Sequence, residues 1–203
     1  MFFEDNIDTY RLLPFHHQLK IEQQIFLNTQ HIDYFKYKAE RLQHLKTINK
    51  NDILNPLIEY VESFIPRIAV FPGSFNPFHK GHYDVLLKAE KLFDKVIIAF
   101  GDNPDKPQRS FPIPKTIQNR QIEHYNGLLT DFLNTLPYEA TVVRGLRNST
   151  DFHYEQNQYR YLQELKADIK IINIFCDKNF EHISSSGIRT LQKFNKHQIY
   201  LLD

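Results

Sequence analysis

The chain has 203 residues, with 25 Lys and Arg against 24 Asp and Glu, a formal net charge of +1. That length suits one sizeable α/β domain plus an appendage, and 41% hydrophobic with 24% charged residues is an ordinary globular composition. The near-zero charge argues against a general nucleic-acid binder, and no apolar run approaches the roughly 20 residues of a membrane helix.

A single cysteine, Cys176, rules out an intramolecular disulfide and fits a reducing cytoplasm. It lies in the apolar run IKIINIFC, where a buried, inert thiol is expected. The amino terminus, MFFEDNIDTYR, lacks a signal-peptide layout.

All six glycines lie at or after Gly73, which separates residues 1–66 from residues 67–203. The first part is expected to be an α-helical extension. Ile21, Ile25, Phe26 and Leu27 form an apolar cluster, and Ile32, Phe35, Ala39, Leu42 and Leu45 follow at three- and four-residue steps. DILNPLIEYVESFIP predicts a short helix with Asp52 near its start and Pro66 beyond its end. These stripes need a surface to bury against.

From Arg67 the rhythm changes. RIAVF reads as a strand, GHYDVLLKAEKLFDK as a helix with Val85, Leu86, Ala89, Leu92 and Phe93 on one face, and KVIIAF as a second buried strand. QIEHY, ATVVRGL and IKIINIF follow as strands. Between them lie the helical LLTDFLNTL and DFHYEQNQYRYLQELKA, the latter with Asp151 as its expected cap. SSSGIRTLQKF is a last helix. Alternating strands and helices predict an α/β fold with a parallel sheet, whose ligands gather beyond the carboxyl ends of the strands.

The informative residues fall in those loops. In VFPGSFNPFHKGH, Gly73 permits close backbone approach, Asn76-Pro77 makes a turn, and His82 sits at the start of a helix, where an anion is favoured. A zinc pair of His79 and His82 lacks evident third and fourth ligands; a purely structural turn is the other alternative. Lys106, past KVIIAF, either reaches a phosphate or is simply solvated. In VVRGLRNSTDFHYE, Arg144 and Arg147 suit bidentate phosphate contact, or else pair with Asp151 and Glu155 as a structural network. Ser184, Ser185 and Ser186 cap a helix, present hydroxyls and N–H groups to phosphates, or do both. Neither a Walker sequence nor a nucleophile elbow occurs. The loops therefore suit positioning of phosphorylated substrates better than covalent catalysis.

HKGH, together with SSS in HISSSGIR, resembles the signatures of the HxGH nucleotidyltransferase superfamily. VFPGSFNPFHKGH, LFDKVIIAF, NPDKP, GLLTDF, RGLRNSTDFHYE and ISSS, in that order, resemble the phosphopantetheine adenylyltransferase family. The resemblance implies a Rossmann-like nucleotidyltransferase fold over residues 67–203. It also implies transfer of AMP from ATP to 4′-phosphopantetheine with Mg2+, giving dephospho-coenzyme A and pyrophosphate, and a homo-oligomer. By motif, His82, Lys106 and Arg144 are the expected catalytic residues. Ser74, Lys106, Leu129 and Arg144 would meet the acceptor. Ser74, Phe75, His82, Gly145, Leu146, Arg147, Glu155, Phe180, Glu181, His182, Ile183, Ser184, Ser185 and Ser186 would bind ATP.

The chain departs from the family pattern at Asn76, in a short segment between Phe111 and Tyr125, and at Tyr161-Leu162-Gln163. The departures leave two alternatives open: a nicotinamide or nicotinate mononucleotide adenylyltransferase, and a nucleotide-binding module whose extension recruits a partner.

Overall fold

A computed structural model describes residues 14–21, 34–102 and 111–203. The chain divides into two compact units, Met1–Pro66 and Arg67–Asp203. Ile25, Phe26, Leu27, Ile32 and Lys106 lie outside the described residues.

In the first unit, residues 14–21 form α1, followed by α2 (Tyr34–Ile48) and α3 (Asn55–Ser63). Their apolar residues meet one another: Leu19, Leu45, Leu57, Ile58 and Val61 are buried together, with Leu42 packed alongside. Ile21 and Ala39 of the expected stripe are exposed. Lys38 Nζ donates to the carbonyls of Glu62 and Phe64, at 2.9 and 2.8 Å, and so satisfies carbonyls at the end of α3.

Asp52 does not start α3. Asn51 and Asp52 are left-handed, with φ of 63° and 58°, a conformation these two residue types tolerate better than most. The Asn49 side chain instead accepts from the Leu54 N–H at 2.9 Å.

The second unit runs β1 (Ile68–Gly73), α4 (Lys80–Leu92), β2 (Lys95–Asp102), β3 (Ile122–Asn126), α5 (Leu129–Thr135), β4 (Thr141–Leu146), α6 (Ser149–Leu165), β5 (Ile171–Phe175) and α7 (Ser185–Gln192). The five strands are parallel, in the order β3-β2-β1-β4-β5. Strand alternation splits the core between two faces. Ala69, Phe71, Ile98, Phe100 and Val143 pack on Val85, Leu86 and Ala89 of α4. Val70, Ile97, Ala99 and Val142 pack on the opposite side with Leu133 of α5 and Ile169. Leu92, expected on the buried stripe of α4, is 45% exposed because it ends the last turn.

The strand order reverses between β1 and β4. β1 matches β2 through six residue pairs, Ile68 to Gly73, but matches β4 only at Ala69–Thr141 and Val70–Val142. Beyond Val70 and Val142 the two strands therefore part, and a crevice opens at their carboxyl ends. This is the topological switch point where α/β sheets bind ligands. Among the described residues, no helix is long and apolar enough to cross a membrane.

Candidate active site

The β1–α4 loop forms one wall of the crevice. Phe75 turns back on itself with φ 42°, and its ring is 4% exposed. It packs edge-on against Phe71 (5.1 Å), Phe100 (5.1 Å) and His82 (4.9 Å). A Cβ on Gly73 would lie 2.7 Å from that ring, so glycine is needed there. Phe75 thus anchors the loop, and it can offer a ligand only its backbone. Ser74 is half-buried beside it. The Asn76–Pro77 peptide is cis.

HKGH has a geometric logic. His79 is the N-cap residue of α4, and its backbone N–H donates to His82 Nδ1 at 3.3 Å. The two rings stack with centroids 3.7 Å apart. A Cβ on Gly81 would sit 3.2 Å from His79 Cε1, so glycine lets the first imidazole fold under the helix. Burial, and then the charge of Arg147, push the His79 pKa down to about 4. Burial, His79 and Arg147 hold His82 well below the ordinary histidine range. His82 is accordingly neutral near pH 7, and with Nδ1 accepting, its proton sits on Nε2 as a donor.

β4 supplies the other wall. Arg144 meets Glu155 through Nε at 2.6 Å and Nη2 at 2.8 Å. Arg147 meets Asp151 through Nε and Nη2, both at 2.8 Å, and through its backbone N–H at 3.0 Å. The carboxylate network is therefore present, and it leaves Nη1 of each arginine outside these pairs. Asp151 is not the cap of α6: Asn148 is, accepting from the Asp151 N–H at 3.1 Å. Asp151 stands one turn in, where its carboxylate reaches back to Arg147. Gly145 lies against α4, with a Cβ there 3.2 Å from Val85. The Leu146 side chain is fully buried.

α7 closes the site from the far end of the chain. Ser184 is its N-cap, accepting from the Gly187 N–H at 3.1 Å. Ser185 Oγ donates to the Pro77 carbonyl at 3.0 Å, and Arg189 donates to that of Asn76. The serine turn is thus fastened directly to the β1–α4 loop. Ser186 is exposed beside Ser184 Oγ, at 3.3 Å. Phe180 is half-buried near Gly81, Ile183 is buried, and Glu181 and His182 are exposed.

The expected residues form two groups. His82, Arg147 and the serines surround the start of α4. Arg144 shares the opposite sheet face with Val142, and Leu129 packs on that same face. Lys106 cannot be placed among them. Among the described residues no three His, Cys, Asp or Glu come together to hold a metal. Cys176 is buried, and burial pushes its thiol pKa up.

Sequence reasoning missed Arg189 and the tail. Lys80 Nζ donates to the Ile199 carbonyl at 2.7 Å, and Leu201 bridges His79 in antiparallel fashion. Asn148 was legible: Asn-Ser-Thr-Asp matches a cap with an acid three residues on. Nothing local marks Arg189, because its partner is distant in the chain.

The cytidylyltransferase-like family profile matches residues 70–191, more than half of the chain. The chain is 36% identical over 138 residues to a phosphopantetheine adenylyltransferase of Cytophaga hutchinsonii, covering 64% of this chain and 91% of the relative. It is 33% identical over 145 residues to that of Mycoplasma capricolum, covering 64% and 99%. Among solved structures, a bifunctional NMN adenylyltransferase/ADP ribose pyrophosphatase from Francisella tularensis has a TM-score of 0.41 at 22% identity, over 64% of this chain and 42% of that one.

Proposed function

The chain belongs to the cytidylyltransferase-like family and, within it, to the phosphopantetheine adenylyltransferases, and we propose that it transfers AMP from ATP to 4′-phosphopantetheine. The products are dephospho-coenzyme A and pyrophosphate. The observation that carries this reading is the likeness along nearly the whole length of the curated relatives.

An oxygen of the acceptor phosphate attacks the α-phosphorus of ATP in line. A new P–O bond forms there while the bond to the β-phosphate oxygen breaks, and pyrophosphate leaves. No proton has to move, so the protein's task is to hold two polyanions together and to stabilise charge. His82 Nε2–H, at the amino-terminal end of α4, is assigned to the ATP phosphates together with the free N–H groups of the helix start. The serine turn and Arg147 are assigned to the same nucleotide, and Arg144, Leu129 and Lys106 to the acceptor. The convergence of β1–α4 loop, β4 end and α7 at one crevice supports these assignments.

Magnesium is taken to arrive with ATP, held by phosphate oxygens and water. Asp151 and Glu155 are already engaged by arginines, so they suit arginine positioning better than metal binding. Bound there, the ion neutralises phosphate charge. We further assign the protein to the cytoplasm, which the buried lone cysteine supports. Self-assembly is supported by α6, which has no buried residue and exposes Phe152, Tyr154, Tyr159, Tyr161 and Leu165; light scattering tests it.

The deciding experiment incubates the protein with MgATP and, separately, 4′-phosphopantetheine or nicotinate mononucleotide. Pyrophosphate is expected with the first alone. Release with the second alone would transfer the chain to the rival reaction. ATP binding without pyrophosphate from either would favour the binding-module reading.

A further inference from the structure

We propose that Tyr125 completes the acceptor's phosphate subsite, its phenol donating a hydrogen bond to the phosphate that Arg144 holds from the other side. This rests on the assignment of 4′-phosphopantetheine as acceptor.

The placement follows from strand alternation. Tyr125 pairs with Gly101 on β2 and projects on the sheet face that also carries Val142, hence Arg144. Its ring lies flat on Phe132 of α5, with centroids 5.0 Å apart and planes at 19°. That stack holds the side chain across the end of β2: a Cβ on Gly101 would meet the hydroxyl at 2.7 Å. Any residue larger than glycine at position 101 would push the phenol aside.

The sheet order places β1 between β2 and β4, with strands about 4.8 Å apart. Tyr125 reaching over β2, and Arg144 rising from β4, therefore close on the end of β1. There Gly73 and Ser74 leave the strand.

Arg144 alone is a weak phosphate holder. Glu155 occupies two of its donor positions and cancels its charge. A dianion assigned to Arg144 and Lys106 still gains from a further, uncharged donor nearby. Among the described residues the Tyr125 hydroxyl has no hydrogen-bond partner of its own, although the residue is half-buried. Burial raises the phenol's pKa and the Arg144 charge lowers it, with the net shift upward. The group therefore stays a donor at neutral pH.

Tyr125→Phe removes one oxygen and keeps the stack. Calorimetry would measure binding of 4′-phosphopantetheine, of pantetheine and of MgATP, with the acceptor assay on the unaltered protein as reference. We expect the phosphorylated acceptor to bind about tenfold more weakly, with pantetheine and MgATP unchanged. Gly101→Ala should reproduce that pattern by displacing the hydroxyl. Equal weakening of pantetheine, or no change for either acceptor, would overturn the proposal. If the unaltered protein neither binds nor adenylylates 4′-phosphopantetheine, the acceptor assignment itself falls, and a pattern confined to the variants leaves that assignment standing.

Discussion

The backbone N–H of His79 donates to Nδ1 of His82 at 3.3 Å, and the two imidazoles stack 3.7 Å apart. One histidine thereby sets the tautomer and the aim of the other. His82→Ala should lower kcat by about a hundredfold or more, the scale of losing one preorganised donor. Circular dichroism should show the fold retained. Turnover within threefold of the unaltered enzyme would remove His82 from the chemistry.

Stability should fall on mild acidification. His79 has a folded pKa of about 4 against about 6.5 when unfolded. Between these values the unfolded chain binds more protons, so stability is complete above about pH 6.5 and is lost as pH falls toward 4. The contribution of this group is about 3 kcal/mol, and His82 acts in the same direction. Urea denaturation at pH 7, 5.5 and 4.5 measures the slope, which His79→Asn should flatten. An unchanged slope in that variant would show that His79 is not the group responsible.

Asp151→Ala removes both the carboxylate that orients Arg147 and the acceptor for its backbone N–H. The pair is partly exposed, so the expected cost is about 1 kcal/mol. The KM for ATP should rise, because the guanidinium loses its fixed direction, while the KM for the acceptor should hold. A selective rise in the acceptor KM would assign Arg147 to the other substrate.

The tail should matter to turnover. Ile199 and Leu201 pin Lys80 and His79, and Asp203 accepts from the Lys115 backbone N–H at 3.2 Å. Deleting residues 198–203 should lower kcat and speed hydrogen exchange at residues 79–82. Unaltered exchange there would show that the loop holds itself.

Leu19, Leu45, Leu57, Ile58 and Val61 of the first unit are buried against one another, so residues 67–203 made alone should remain soluble and cooperative in thermal unfolding. A loss of cooperative unfolding would show instead that the apolar stripes of residues 1–66 support the sheet.

Much of this protein was legible in its sequence. Five strands and their helices announced themselves by apolar period, and HKGH, RGLR and SSS marked the start of α4, the end of β4 and the start of α7. Caps were harder to read. Asp52 and Asp151 both looked like helix starters, yet a left-handed turn and a nearby arginine claimed them. A short acidic side chain has several partners within reach, and propensity does not choose among them.

The amino-acid order by itself determined the parallel α/β architecture and the family, because hydrophobic periodicity and contiguous motifs are local properties of the chain. Only the tertiary structure decided which side chains meet. Ser185 on Pro77, Arg189 on Asn76 and the Tyr125 ring over Gly101 join segments distant in sequence or on separate strands. Those meetings depend on strand order and on where β1 and β4 part, and no local pattern encodes either.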